Sequence, residues 1–132
     1  MILLDTTFLV DVLRGKQSIG VKLEELERDQ LATTEINVFE IFTGIYSSKK
    51  ANVNHESKAA LHLFSMLAVL PLNRKATIRS AEFTGSLAKE GKTIGELDCL
   101  IAGIALEHGI TTILTKNKDH FERIPGVQVL SY

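Results

Sequence analysis

The stretch Ile2-Leu3-Leu4-Asp5-Thr6-Thr7-Phe8-Leu9-Val10-Asp11-Val12-Leu13-Arg14-Gly15 decides the fold. Residues 2–5 read as a short buried strand closed by an acid. A helix then runs through Arg14, and Gly15 ends it. The same alternation continues along the chain. Residues 21–28 predict a helix, 30–34 a strand, and 35–47 a helix carrying Ile36, Val38, Phe39, Ile41, Phe42, Ile45 and Tyr46. That helix is apolar nearly all round, which predicts burial on more than one side. A polar loop at 47–54 leads into a helix over about 55–67, and Ala68-Val69-Leu70 is a strand stopped by Pro71. Residues 74–90 are helical, with Gly91 as the C-cap. Thr93-Ile94-Gly95-Glu96 fits a capping box that opens a helix over 94–108, and Gly109 closes it. Strands follow at 112–114 and 128–130.

Short apolar strands alternating with helices predict an α/β fold. It has three layers, α/β/α, around a central parallel sheet of four to five short strands. At 132 residues the chain is expected to form a single domain, 1–132, with a proper core. Its 45% hydrophobic and 23% charged residues are ordinary for a soluble globular protein. The formal net charge is −1, so no global positive field attracts nucleic acid. A nucleic-acid partner must then be held by a local patch or through bound metal. The single cysteine, Cys99, excludes an internal disulfide and suits a reducing, cytoplasmic location. Three apolar residues between Met1 and Asp5 are too few for a signal peptide. The longest uncharged apolar run, residues 99–106, is far short of a membrane span.

In a parallel sheet covered on both faces, ligands bind beyond the carboxyl ends of the strands. Asp5 and Asp119 each follow such an end. Glu40 and Asp98 reach the same edge from the first halves of their helices. Converging carboxylates bind hard divalent cations and leave coordination positions open for water and phosphate, which is what a metal-dependent nuclease requires.

Each acid also has a plainer explanation. Asp is a favoured helix cap, although Thr6 and Thr7 beside Asp5 offer capping hydroxyls too. A helix Glu is usually solvated. Glu40, however, shares a narrow polar line with Asn37, Thr43 and Gly44 on an otherwise apolar helix. Asp98 has Ile94, Ile101 and Ala102 as one-turn neighbours, where a carboxylate is expensive unless paired or metal-bound. Asp119 could be a first-turn charge beside a helix dipole. With Asn117 it supplies a carboxylate and an amide oxygen, both suited to a hard cation or its waters. Thr6 and Thr115 are further candidates for positioning water or phosphate. Lys116, Lys118 and Arg123 border the expected site and are candidates for holding phosphate. His55, His62, His108 and His120 lack zinc spacing and read as surface residues.

These blocks resemble a known family. The opening through Gly15, then Asn37-Val-Phe-Glu40-Ile-Phe-Thr-Gly44, Ile94-Gly-Glu-Leu-Asp98-Cys-Leu-Ile-Ala102 and Thr115-Lys-Asn117-Lys-Asp119-His-Phe121 stand in the order and spacing of a PIN domain. The chain is most similar to the VapC-type toxin ribonucleases of toxin–antitoxin pairs. The resemblance implies magnesium- or manganese-dependent cleavage of RNA, with Asp5, Glu40, Asp98 and Asp119 as an acidic quartet. Asn117 stands where many members carry an acid, so the fourth charge falls to Asp119. The resemblance also implies a homodimer and a cognate VapB-like antitoxin that blocks the site.

Two other readings compete. A phospho-accepting receiver domain is also a small α/β fold, but it carries adjacent acids after its first strand, whereas Asp5 lies between Leu4 and Thr6. A housekeeping PIN nuclease for ribosomal or transfer RNA would share the same site. A neighbouring gene for a small DNA-binding protein would favour the toxin.

Overall fold

A computed structural model describes all residues, Met1–Tyr132. Five strands, β1 (Ile2–Leu4), β2 (Leu31–Thr34), β3 (Ala68–Leu70), β4 (Thr112–Leu114) and β5 (Gln128–Leu130), form one sheet in the order β3-β2-β1-β4-β5. Every pairing is parallel. The helices are α1 (Thr6–Leu13), α2 (Gln17–Glu25), α3 (Glu35–Ser47), α4 (Val53–Ser65), α5 (Arg74–Lys89), α6 (Glu96–Glu107) and the short α7 (Lys118–Phe121).

Side chains alternate across a strand, and this alternation divides the core into two layers. Ile2 and Leu4 point into one cluster with Phe8, Leu9, Ile41, Ile45 and Phe64. Leu3 points the other way, into a cluster with Cys99, Ile101, Ala105, Ile113 and Phe121. The α/β/α layering expected from the sequence is therefore present. The chain moves outward from β1 to β2 and β3, then returns to β4 on the other side of β1. The strand order reverses between β1 and β4, and a crevice opens beyond the carboxyl ends of strands at such a point. Leu4 pairs with Leu114 there, and the Asp5 N–H donates to the Leu114 carbonyl at 3.0 Å. Gly15 and Gly109 close α1 and α6 with φ of +66° and +73°, as the sequence predicts.

Some boundaries differ from the sequence reading, for identifiable reasons. β1 ends at Leu4, because Asp5 already occupies the N-cap position of α1. α2 begins at Gln17 rather than Val21, and its early residue Ile19 is buried in the core. The capping box at Thr93–Glu96 does not form. Gly95 is the N-cap residue and makes no side-chain bond, while Arg123 donates to the Lys92 and Thr93 carbonyls at 3.3 and 3.2 Å. A capping box forms instead at Thr34 and Asn37, opening α3. α3 is not buried all round either, since Phe39 and Tyr46 stand exposed.

Candidate active site

The site is built around Asp5, which is only 2% exposed at the carboxyl end of the central strand. Three elements fix its carboxylate. Thr115, just past β4, donates its hydroxyl to Oδ2 at 2.7 Å. The Asn37 amide of α3 donates to Oδ1 at 3.3 Å. Thr7 of α1 donates to Oδ2 at a longer 3.4 Å.

Asn37 is itself locked in orientation. Its Oδ1 accepts from the Thr34 N–H and hydroxyl at 3.1 and 2.7 Å. Its Nδ2 is thereby turned toward Asp5 and toward the Thr6 hydroxyl, at 3.0 Å. Thr6 passes its own proton to Glu40 Oε1 at 3.0 Å. One chain of hydrogen bonds thus runs from the cap of α3 through Asn37 to both Asp5 and Glu40, with each donor matched to an acceptor. The polar line read along α3 is this network, with Asn37 fully buried and Glu40 half-buried.

Asp98 completes the group from the first turn of α6. Burial pushes the Asp5 carboxyl above its ordinary value, and the Asp98 charge adds to the rise; hydrogen bonds from Thr115, the Thr6 backbone and Thr7 oppose it. Burial likewise raises Glu40, and the charges of Asp5 and Asp98 add to it against the Thr6 hydrogen bond. Asp98 thus acts on both Asp5 and Glu40, and Asp5 acts on Glu40, so the three carboxylates lie within electrostatic reach of one another. As they stand, no three of them close around a single point. That spread suits a hard cation such as magnesium, which keeps several waters and takes only one or two carboxylates directly. All of the donors are oxygens, in keeping with such an ion.

The remaining candidates divide. Thr6 and Thr115 belong to the site, each bonded to one of its acids. Asp119 does not join the three. It is exposed and lines a separate hollow with Lys92, Glu122 and Arg123. Asn117 donates its backbone N–H to Thr115 at 2.9 Å, so it braces the loop. Lys116 is not free for phosphate, because its ammonium lies 2.6 Å from Asp11. Lys118 pairs with Glu122 at 3.5 Å on the surface. His120 lies on the surface, as read, and its Nδ1 is 2.7 Å from Asp98.

Asp11 was missed by sequence reasoning. It is 3% exposed and bonded to Lys116, to Lys16 at 2.8 Å and to the Tyr132 hydroxyl at 2.8 Å. Lys116 first and Lys16 second hold its carboxylate well below the usual range. The signal was present: an acid between Val10 and Val12 on an apolar helix is the same pattern that singled out Asp98.

The PIN domain family matches residues 2–127. Ribonuclease VapC19 of Mycobacterium tuberculosis is 33% identical, over 97% of this chain and 98% of its own length. The tRNA(fMet)-specific endonuclease VapC of Salmonella typhimurium is 28% identical, over 96% of this chain and 94% of its own. Among solved structures, VapBC2 from Rickettsia felis bound to a promoter DNA fragment contains a chain that superposes with a TM-score of 0.87 at 27% identity, covering 100% of this chain and 99% of that one. The chain belongs to the PIN domain family. Both curated relatives, similar over nearly its whole length, are named as VapC nucleases.

Proposed function

We propose that the chain is the ribonuclease toxin of a VapBC-type pair, and that it hydrolyses RNA with a magnesium or manganese ion held by Asp5 and Asp98. The observation that carries this reading is the hydrogen-bonded group at the carboxyl end of β1, where buried Asp5 is tied through Asn37 and Thr6 to Glu40 and the Asp98 charge acts on both acids. A group built from like charges is stabilised by a cation. The ion, when bound, lowers the pKa of a coordinated water and offsets phosphate charge.

The chain's own residues provide orientation. Thr115 and Asn37 hold both oxygens of Asp5, so its lone pairs are aimed before any ligand arrives. Thr6 fixes Glu40 through Oε1, which would leave its other carboxylate oxygen free to hold a water of the ion. His120 steadies Asp98. Asp119, exposed on α7 beside Lys92, Glu122 and Arg123, is given no part in the chemistry in this reading. Cytoplasmic action agrees with the buried, unpaired Cys99, and no helix is long and apolar enough to cross a membrane.

The partner is a VapB-type antitoxin. An acidic cleft in a near-neutral chain calls for a basic plug, and a guanidinium can bind carboxylates in place of the ion. Apolar residues of the plug would cover the face of α3 that carries exposed Phe39 and Tyr46 and half-buried Phe42. Induced expression tests this reading. The wild-type chain should arrest growth and degrade RNA, Asp98→Asn should do neither, and the small neighbouring gene should rescue growth. RNA cleavage undiminished in EDTA would refute the metal.

A further inference from the structure

Gly44 is unexplained by the fold. It lies inside α3, one turn beyond Glu40, where glycine destabilises a helix by about 1 kcal/mol relative to alanine. Its φ is not positive, so no left-handed turn requires it. No neighbour crowds it, since a Cβ there would meet nothing within 4 Å. Gly103 is the opposite case, because a Cβ would collide with Ser80 Oγ. Gly44 lines a hollow of about 510 Å³ together with Glu40. Val10 and Leu13 of α1 and Ile41 and Ile45 of α3 line it, as does Arg14. Arg14 is exposed and pairs with no carboxylate, whereas Lys16, Lys116 and Lys118 are all held in ion pairs.

Resting on the ribonuclease reading above, we propose that this hollow is a nucleobase subsite: it receives an unstacked base of the RNA next to the scissile phosphate, while Arg14 holds the adjoining backbone phosphate. Proteins that read RNA take splayed bases from single-stranded segments into such pockets. A base is apolar on its faces and polar at its edges. The hollow matches this, with aliphatic walls and with Glu40, Ser48 and Glu56 at its polar margins. Its volume is in the range of small-ligand sites. The missing side chain at Gly44 keeps it open. The chain carries a net charge of −1, so a strand approaching three carboxylates needs a local cation, and an unpaired guanidinium suits phosphate.

The test is binding of fluorescein-labelled, unstructured RNA decamers, followed by anisotropy in EDTA at low salt, with single abasic positions scanned along the strand. Gly44→Leu projects a side chain into the hollow, and its melting temperature should equal or exceed that of the wild type. Its Kd should rise about tenfold, the size of one lost base contact. One abasic position should weaken the wild type by a similar factor and leave Gly44→Leu unaffected. Arg14→Ala should flatten the slope of log Kd against log salt by about 0.7. Wild-type Kd in both variants would overturn the subsite. So would a Gly44→Leu variant that loses only a basic, apolar antitoxin peptide, because the hollow would then be a protein groove. Failure of the wild type to bind any decamer would also overturn it. Cleavage by the wild type in magnesium is run alongside. Its absence counts against the ribonuclease reading, whereas an unchanged Kd in Gly44→Leu counts against the subsite alone.

Discussion

Replacing Thr115 by valine keeps the shape of the residue and removes one hydroxyl, and the structure says what that hydroxyl does. It donates to the buried Asp5 carboxylate at 2.7 Å and accepts the Asn117 N–H at 2.9 Å. A hydrogen bond to a charged group contributes about 1.5–3 kcal/mol. Asn117 is exposed, so its freed N–H turns to water and adds little. Asp5 keeps Asn37 and the more distant Thr7 as donors. The expected loss for Thr115→Val is about 2–3 kcal/mol at pH 7. For a domain of this size that is a fall in Tm of roughly 6–12 °C. The loss should shrink in acid. Asp5 titrates above its ordinary value, and once protonated it makes only a neutral hydrogen bond, contributing about 1 kcal/mol. Urea melts of wild type, Thr115→Val and Thr115→Ser at pH 7 and pH 4 measure this, with the serine variant recovering most of the loss. A deficit below about 0.5 kcal/mol, or one that does not change with pH, would refute the claim that Thr115 stabilises an ionised Asp5.

Three further outcomes follow from the same structure. Gly103→Ala places a Cβ against Ser80 Oγ and 2.9 Å from the Ala76 carbonyl, so it should force α5 from α6 and lose about 1–3 kcal/mol; thermal melts check this, with partial recovery expected on adding Ser80→Ala. Asp11 is depressed by Lys116 and Lys16, so its stabilisation is complete above the ordinary carboxylate range and disappears as pH falls below it; Asp11→Asn should be less stable at pH 7 and show a flatter acid limb in stability–pH curves. Asp5 is raised, which reverses the sign: its charge destabilises the metal-free fold as pH rises, so Asp5→Asn should match or exceed wild-type stability at pH 7 without metal.

How far the sequence could be read depended on which interactions were local. Strand and helix alternation and the glycine stops are nearest-neighbour effects, and α3, β3, β4 and β5 were legible to the residue. Asp5 and Glu40 were also legible, because an acid ending a buried strand or sitting in an apolar helix demands a reason. Asp98 was legible on the same ground. What could not be read was direction. Asp119 lies two residues from Asn117 in the right loop, but α7 sets it in a hollow with Lys92 and Arg123. Lys116 borders the site, yet its side chain is taken by Asp11 from α1, a contact 105 positions apart in sequence. His120 looked like surface and reaches Asp98 only because α6 and α7 pack together. Asn37 showed its polarity in the sequence but not its orientation, which depends on a capping box that a sequence scan for Glu or Gln at the third helical position passes over.

The central claim is that Asp5, Glu40 and Asp98, and not Asp119, form one cation site that drives RNA hydrolysis. Calorimetric titration of the purified metal-free chain with manganese, paired with RNA cleavage by the same samples, tests it most directly. The wild type should bind the ion with proton release and cleave. Asp5→Asn and Asp98→Asn should lose both, Glu40→Gln should lose cleavage with weakened binding, and Asp119→Asn should keep both near wild-type levels. Wild-type ion binding and cleavage in Asp5→Asn and Asp98→Asn, or their collapse in Asp119→Asn alone, would contradict it.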